Sequence, residues 1–454
     1  MAGGIWTSQS KILPGVYINV KSQPNANASV GSRGTVAIAK ALSWGAPGEI
    51  VEIIPGTDVT PAIGYDLSAD QALFLREMMR GTDVTAGPTK ILLYRYTGTG
   101  GVKATATVGS NLTATAKYVG VRGNNISVIV TADPDGGSDF DVSTVVDGRV
   151  VDTQTGATAA DLVSNDWVDF SGTGALEANA GTALTGGVDP TVAAADDAAF
   201  LTAVEPYAFD VLAYDGSTQT VIDAYVAFIK RMNEQLGHKC QLVVGDTAAN
   251  SEYVISPGNG YVLPDGTALT AQQAVWWVAG SEAGAMYYQS LTYAQHPTAI
   301  AASPKLTDAQ AEALITAGKI AIIDNFGLVR ICTDIDTLTT VTPTKGAEFK
   351  KNRVMRVVMQ LCNDIYEHFA GHYIGKVDNN DDGRSLLRAW IIGYCNEMMA
   401  NSGIQNFSAD DVEVLPGGSI DAVVINIGIQ PVDAIEKVYV TVTVDANISA
   451  AAAE

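Results

Sequence analysis

VEVLPGGSIDAVVINIGIQPVDAIEKVYVTVTV, residues 412–444, contains two runs patterned as β-strands, Asp421 to Ile429 and Lys437 to Val444. In the second run valines alternate with tyrosine and threonine, and this period of two gives a strand one apolar and one polar face. The alanine-rich residues that follow predict no element able to cover the free edge of this strand. An uncovered edge is a template for pairing with another chain.

A second strand pattern lies near the other end, where PGVYINV, residues 14–20, alternates between apolar and polar side chains. Two strands that flank a long chain predict arms that pair with neighbouring copies of the protein. The residues expected to form these intersubunit strands are Val16, Tyr17, Ile18, Val20, Val438, Tyr439, Val440, Thr441 and Val442.

Length and composition limit the classes of protein to which the chain can belong. A chain of 454 residues with 47% hydrophobic residues is expected to fold into about two to four domains. Its apolar runs are too short to cross a membrane, and the start, MAGGIWTSQSKIL, predicts no export signal. With 27 basic and 49 acidic residues, the net charge of −22 disfavours nucleic-acid binding, because phosphates must be neutralised by Lys and Arg.

The early part of the chain predicts a β, helix, β unit. Residues 34–41 and 90–96 are patterned as buried strands on either side of a helix. Ser68 and Gln71 have the spacing of a capping box, which would open this helix. The unit is expected to be part of an α/β body.

The same body is predicted to resume after residue 190, where helix and strand patterns alternate. A second capping box, formed by Thr307 and Gln310, would open a further helix. The last two helices are expected to span residues 347–372 and 383–402.

Residues 97–188 differ in composition from the rest, because Gly, Thr, Ala, Asp and Val dominate them. Short strand patterns separated by Gly and Asp turns predict a β-sandwich or barrel-like domain. The fold class is therefore multidomain, α/β with α+β parts, with this domain inserted into the body. The predicted order is an N-terminal arm (1–22), the first part of the body (23–96), the inserted β-domain (97–188), a central α/β domain (189–345) and a C-terminal domain with the strand arm (346–454).

Three motifs that resemble ligand sites lack essential residues. GHYIGK, residues 371–376, has three residues between its glycines, where a phosphate loop has four. DNNDDG, residues 378–383, begins like a calcium loop, but Ala389 replaces the glutamate that closes the coordination shell. His368 and His372 share a helix face without a third zinc ligand. The sequence therefore predicts no catalytic residue, cofactor or metal.

Four stretches, taken together and in this order, carry a resemblance: PGVYINV (14–20), LTGGVDP (184–190), DIDTLTT (334–340) and QPVDAIEKVYVTVTV (430–444). They resemble the contractile tail sheath family of contractile-tailed phages, R-type bacteriocins and related injection systems. AKYVGVRGNNISV, residues 116–128, is similar to the motif that starts the family's inserted β-domain. Val119 stands where the family usually has proline.

The resemblance implies a structural subunit that needs no cofactor. Subunits would form hexameric rings stacked in a helical sheath around an inner tail tube, with baseplate and tail terminator proteins as further partners. Contraction would drive the tube through a target cell envelope. The sheath would belong to a virion or bacteriocin particle assembled in the host bacterial cytoplasm, and it would neither bind nucleic acid nor insert directly into a membrane.

A basic cluster stands out against the acidic background at the predicted start of the long helix: Lys345, Lys350, Lys351, Arg353 and Arg356. Such a cluster is commonly a solvated helix face. Under the resemblance, it is also a hypothesis for the surface that contacts an acidic inner tube, because complementary charges fix the register between two proteins.

Two other classes of function stay open. A secreted or surface β-rich adhesion protein would account for the acidic charge and the Gly- and Thr-rich insert, but it requires an export signal. An α/β enzyme would account for the alternating body, but it requires a site with convergent polar residues, which no motif predicts.

Overall fold

A computed structural model describes residues 3–4, 16–17, 30–134 and 137–444. These residues form a mixed α/β multidomain protein that includes a β-sandwich. They divide into two compact units. The larger unit contains the described residues of 31–372 and 430–444, and the smaller contains 373–429 with the described residues up to 30.

The described residues form eight α-helices and 23 strands, numbered in chain order. The helices are α1 (Thr60–Ile63), α2 (Leu73–Met79), α3 (Ala194–Val204), α4 (Gln219–Arg231), α5 (Ala271–Gly284), α6 (Asp308–Thr316), α7 (Asn352–His372) and α8 (Asp381–Ala400). The strands are β1 (Gly3–Gly4), β2 (Val16–Tyr17), β3 (Thr35–Lys40), β4 (Ile50–Ile53), β5 (Lys90–Arg95), β6 (Thr105–Val108), β7 (Leu112–Ala116), β8 (Ile126–Ala132), β9 (Phe140–Val146), β10 (Arg149–Gly156), β11 (Val168–Ser171), β12 (Asn179–Ala183), β13 (Val211–Tyr214), β14 (Gln241–Val244), β15 (Val254–Ile255), β16 (Gly260–Val262), β17 (Ala301–Ser303), β18 (Ile322–Asn325), β19 (Leu328–Ile331), β20 (Ile404–Gln405), β21 (Val412–Pro416), β22 (Val423–Ile427) and β23 (Gln430–Pro431).

A six-stranded sheet, in the order β15-β14-β13-β3-β5-β4, forms the centre of the larger unit. Its strands are parallel except for β4, which is antiparallel to β5. Alternate residues of β3 enter two different cores: Val36 and Ile38 join the core with α2 and α5, and Ala37 and Ala39 join the core with α3 and α4. Because both faces are covered, this strand is a continuous apolar run without alternation.

The two predicted capping boxes have different outcomes. Thr307 caps α6 as predicted, since its hydroxyl accepts from the Gln310 N–H at 3.3 Å and the Gln310 side chain accepts from the Thr307 N–H at 2.9 Å. The capping box predicted at Ser68 was wrong, because the Ser68 hydroxyl donates to Asp66 and α2 begins only at Leu73. The Asp66 carboxylate accepts both the N–H and the O–H of Ser68, so it holds this residue in a local turn before the helix.

The inserted domain consists of two antiparallel sheets, β10-β9-β8-β12 and β11-β7-β6. Their apolar side chains form one core, which includes Ala114, Ala116, Val128, Val130, Val142 and Val168. The period of two that the sequence shows in these strands therefore corresponds to one face directed into the sandwich.

Arg122, in the 116–128 stretch, links this domain to the body. Its guanidinium donates to both carboxylate oxygens of Asp147 at 2.9 and 2.6 Å, and to the Gly64 carbonyl at 2.7 Å. The same group lies 4.2 Å from the centroid of the Tyr65 ring, which permits a cation–π contact. One buried cation thus contacts the sandwich and the loop after α1.

The side chain of Trp44 makes the corresponding apolar link. It follows β3 in the body, yet its ring packs on Tyr118 and Trp167 of the sandwich, with centroids 5.3 and 4.8 Å away. We expect Trp44→Ala to destabilise the inserted domain by about 3–5 kcal/mol, because a buried tryptophan leaves a cavity. Hydrogen exchange should show faster opening of β6 to β12 than of the central sheet. Val150→Ser, at an exposed position of β10, is the control and should leave exchange unchanged.

Candidate assembly site

The C-terminal segment that was predicted as an intersubunit strand is exposed, and residues 437–444 have no strand partner within the described chain. The exposed fractions of Val438, Tyr439, Val440 and Val442 are 74, 90, 75 and 79%. Thr441 is exposed as well. The alternating pattern of the sequence is therefore present, but both of its faces meet solvent in a single subunit.

This segment is anchored at Glu436. The Glu436 carboxylate forms an ion pair with Lys351, just before α7, and accepts the Thr292 hydroxyl at 2.8 Å. The Thr333 hydroxyl lies 3.4 Å from the second carboxylate oxygen, and Asp433 places a further carboxylate 3.9 Å from the Lys351 ammonium. The chain is thus held as far as Glu436, and the described residues beyond it form no side-chain hydrogen bond or ion pair.

A buried ionic cluster lies at the start of α7, behind the anchor. Arg356 is fully buried, and its guanidinium donates to Glu282 of α5 and, at 2.7 Å, to Asp334. Asp334 also accepts the Asn352 side-chain amide at 2.8 Å and the Leu291 N–H at 2.9 Å. The cluster therefore joins α5, α7 and the loop after β19.

The two carboxyl groups of this cluster have pKa values shifted in opposite directions. Burial raises the pKa of Glu282 well above its usual range, and the nearby Asp334 charge raises it further. Burial also acts to raise the pKa of Asp334, but the Arg356 charge and the hydrogen bonds from Glu282 and Leu291 outweigh it and lower the pKa. Burial thus favours the neutral form of Glu282, whereas the Arg356 charge favours the ionised form of Asp334.

The structure corrects the prediction for Arg356 as part of a basic surface, because Arg356 lies in the core and cannot contact an inner tube. The predicted long helix is also divided: residues 347–350 form a 3-10 turn, and α7 begins at Asn352. The break has a physical reason, since the Lys351 backbone is extended and forms a bridge with Ile335 before Asn352 reaches Asp334.

The remaining members of the basic cluster are separated by their contacts. Lys345 forms an ion pair with Glu252, and Lys351 forms the ion pair at the arm anchor. Arg353 is partly buried, and burial lowers its pKa. The ammonium of Lys350 has no ion pair with a carboxylate in the described part of the chain. The structure thus brings these residues near one another without forming a single exposed basic face.

At the other end, the described residues contain a short pairing. Val16 and Tyr17 of β2 pair in parallel with Gly3 and Gly4 of β1 in the same chain. Ile18 and Val20 lie outside the described residues. One edge of β2 is therefore already paired with a strand of its own subunit.

The three motifs that resemble ligand sites have local roles. The Asn380 side chain accepts from the Gly383 N–H at 2.8 Å and caps α8, and Gly371 lies within α7. The His368 and His372 rings pack on each other, with centroids 4.5 Å apart. Across the described ranges no group of three His, Cys, Asp or Glu side chains is arranged to hold a metal ion. The helices within those ranges are all too short or too polar to span a membrane.

Residues important for this site were missed at the sequence level. Glu282 and Glu436 stand alone in their stretches, without a motif that signals their contacts. Asp334 opens DIDTLTT, which was noted only for its resemblance. The structure shows what this stretch contacts: Asp334 binds Arg356, and the Thr337 hydroxyl donates to the Ser251 carbonyl at 3.0 Å.

Comparison with known proteins identifies the family. Four family models match consecutive parts of the chain: tail sheath protein Gp18 domain III N-terminal region (33–95), phage tail sheath protein beta-sandwich domain (99–189), phage tail sheath protein central domain (191–337) and phage tail sheath C-terminal domain (344–445). The crystal structure of a sheath tail protein from Desulfitobacterium hafniense is 41% identical, covers 94% of this chain and 99% of its own, and superposes with a TM-score of 0.84. The chain belongs to the contractile tail sheath family.

Two further proteins are similar to this sheath protein, one in sequence and one in fold. The phage-like element PBSX protein XkdK of Bacillus subtilis (strain 168) is 32% identical over 98% of this chain and 100% of its own. The helical sheath of the anti-feeding prophage in its contracted state shares the fold, with a TM-score of 0.58 at 13% identity over 96% of this chain and 100% of its own. The sheath protein is therefore a structural component of a phage tail or a phage-derived particle, and its family is not an enzyme family.

The ionic cluster generates a prediction about the stability of the sheath protein subunit. We expect Asp334→Asn to lower the free energy of unfolding by about 3–5 kcal/mol, because it breaks a buried ion pair with Arg356 and weakens the acceptor of the Leu291 N–H. Glu282→Gln should have a smaller effect, because burial already disfavours the charge that this substitution removes. Urea unfolding of the monomer at neutral pH measures both. Equal losses in the two variants would contradict the opposite pKa shifts of the two carboxyl groups.

Proposed function

We propose that this protein is the subunit of a contractile sheath, in which hexameric rings stack helically around an inner tail tube. Contraction of the sheath drives the tube through the envelope of a target cell. The observation that carries this proposal is the exposed, alternating segment 437–444, anchored to the body at Glu436. Baseplate and tail terminator proteins are the expected partners at the two ends of the sheath, which is assembled in the host cytoplasm.

The C-terminal segment pairs with a sheet of a neighbouring subunit in this proposal. The hairpin of β21 and β22 is a suitable acceptor, because the two strands form a two-stranded sheet in the described chain. A hairpin of this size is marginally stable by itself, so added strands are favourable. Each new backbone hydrogen bond contributes about 1 kcal/mol, and buried valine side chains add roughly 25 cal/mol per Å².

Strand exchange at the arms would keep the rings connected while the bodies change their packing. The arm can change its direction relative to the body, because the ion pair between Glu436 and Lys351 is the last contact that holds it to the body. Each arm contributes a few kcal/mol, but the contact is repeated at every subunit. The extended sheath is metastable in this proposal, and additional contacts between bodies in the contracted state supply the work.

Removal of the arm tests the proposal. We expect a chain that lacks residues 437–454 to fold as a monomer and to form no tubes in negative-stain electron microscopy, because the intersubunit strand is gone. A chain that lacks only 445–454 is the matched control and should still form tubes. Deletion of 1–20 should also leave monomers. Regular tubes from the chain that lacks 437–454 would rule out the arm model.

The contact with the inner tube gives a separate prediction, centred on Lys350. Lys350 forms no ion pair with a carboxylate among the described residues and interacts with Asp336 only at longer range, so its charge can also attract an acidic surface. We expect Lys350→Glu to weaken co-assembly with tube protein and to preserve the fold. Co-sedimentation at two salt concentrations measures the loss, with Lys230→Glu on α4 as the control. Unchanged co-assembly of the Lys350 variant would remove this residue from the tube surface.

A further inference from the structure

The turn between β18 and β19 contains an unusual residue. Asn325 pairs with Leu328, so the loop consists of Phe326 and Gly327 alone. Their φ angles are +51° and +80°, which is the type I′ geometry of a two-residue hairpin. Asn-Gly and Asp-Gly are favoured there, because a bulky side chain is rare at positive φ.

The chain itself provides the comparison. Between β9 and β10, Asp147 and Gly148 form a second two-residue loop with φ angles of +51° and +79°. The usual Asp-Gly pair thus occupies the same geometry elsewhere in the protein. Phe326 is strained by this backbone, and it is 99% exposed, so the described part of its own subunit gives the ring almost no contact. A partner outside the subunit would explain a phenylalanine at this position.

The hairpin presents this ring on a fixed support. The Tyr293 N–H donates to the Ile331 carbonyl at 2.8 Å, and the His296 N–H donates to the Val329 carbonyl at 2.9 Å. β19 is therefore bonded on both edges, by β18 on one side and by this segment on the other. A ring held by such a support loses little conformational freedom when it binds.

A pocket suited to a phenyl ring lies on the larger unit. It has a volume of about 290 Å³, and its lining combines apolar and aromatic side chains, among them Leu42, Ile63, Phe74 and Trp276, with the polar side chains of Lys40, Asp70, Gln71 and Gln273. A cavity of about 150 Å³ with apolar walls is enough to hold benzene. The Lys40 ammonium lies 5.5 and 5.3 Å from the centroids of Phe74 and Trp276, so an entering ring would also meet a cation.

Two larger cavities of the described chain fit a phenyl ring less well. The cavity of about 600 Å³ beside the arm anchor is lined by Glu312, Lys350, Lys351 and Glu436 among its residues. The cavity of about 660 Å³ beneath β13 and α7 contains Asp210, Asp364 and Glu367. Both are about twice as large as the Phe74–Trp276 pocket, and both contain more carboxylates than that pocket, where Asp70 supplies one.

We propose that Phe326 of one subunit inserts its ring into the Phe74–Trp276 pocket of a second copy. The occupant is a copy of this chain because the sheath protein belongs to a family that forms polymers of one subunit, and because knob and pocket lie on the same chain. A contact between two different surfaces of identical subunits is heterologous, and its repetition builds either a closed ring or an open helical array. This inference rests on the proposed polymer and adds a contact between bodies to the strand arms.

Substitution of the turn residue tests the contact. Phe326→Asn places a favoured residue in the type I′ turn, so the melting temperature of the monomer should stay equal or rise. The concentration needed for polymerisation should increase about tenfold or more, because a buried phenylalanine side chain is lost from each contact. Gln71→Trp, which fills the pocket at its exposed rim, should have the same effect. Val163→Asn, at a position that is 70% exposed in the sandwich, is the matched control and should polymerise normally.

Cross-linking identifies the partner of Phe326. A photoreactive benzoyl-phenylalanine at position 326, in sheaths assembled from isotopically mixed subunits, should link to a peptide that contains Phe74 or Trp276 of another copy. Links to tube protein, or only to other regions of the sheath subunit, would overturn the assignment. So would normal polymerisation of Phe326→Asn, while wild-type tubes still form and the arm deletion still abolishes them. If the wild-type protein formed no polymer, the proposed function itself would fail.

Discussion

A buried guanidinium is the constraint on which the arrangement of the larger unit depends. Arg356 sits in the core at the start of α7 and is neutralised by Asp334, with Glu282 and the Gln289 carbonyl as further acceptors. A buried ion pair adds little net stability, but loss of one partner leaves an uncompensated charge at high cost. The cluster therefore fixes position: α5, α7 and the loop after β19 can pack only where these groups meet.

The position of the C-terminal arm follows from the same constraint. Lys351 lies five residues before Arg356 in the chain, in an extended residue that bridges to Ile335 just ahead of α7. Because the ionic cluster fixes the start of α7, it also fixes the position of the Lys351 ammonium, which forms the ion pair with Glu436. This ion pair is the last contact that holds the C-terminal segment to the body. The arm's departure point is thus set by packing in the core, although the arm itself contacts little of its own subunit.

The parts of the fold that could be predicted from sequence are those determined by neighbouring residues. The continuous apolar runs at 34–41 and 90–96 indicated strands buried on both faces, and β3 and β5 lie side by side in the interior of the sheet. The cap at Thr307 was confirmed, whereas Ser68 has the same spacing but a competing acceptor at Asp66. A motif predicts a cap only when no other group takes its hydroxyl.

The candidate site could be predicted only in part, because its contacts join distant residues. Arg356 lies 22 residues from Asp334 and 74 from Glu282, and no local period reports such a pair. In a chain with 49 acidic and 27 basic residues, a basic side chain readily finds a carboxylate inside its own subunit, as Lys345 and Lys351 do. Clustered positive charge was therefore weak evidence for an external surface.

The alternating segment 437–444 and the Phe326 ring are two different kinds of exposed apolar surface. The first is a long run that can exchange backbone hydrogen bonds, and it would keep subunits linked through a change of spacing. The second is a single ring on a fixed hairpin, which can leave one pocket without unfolding anything. A polymer that must stay connected and yet change its packing needs both kinds of contact: a tether that persists and a point contact that can be released. The proposed sheath uses the ends of the chain for the first and a strained turn of the body for the second.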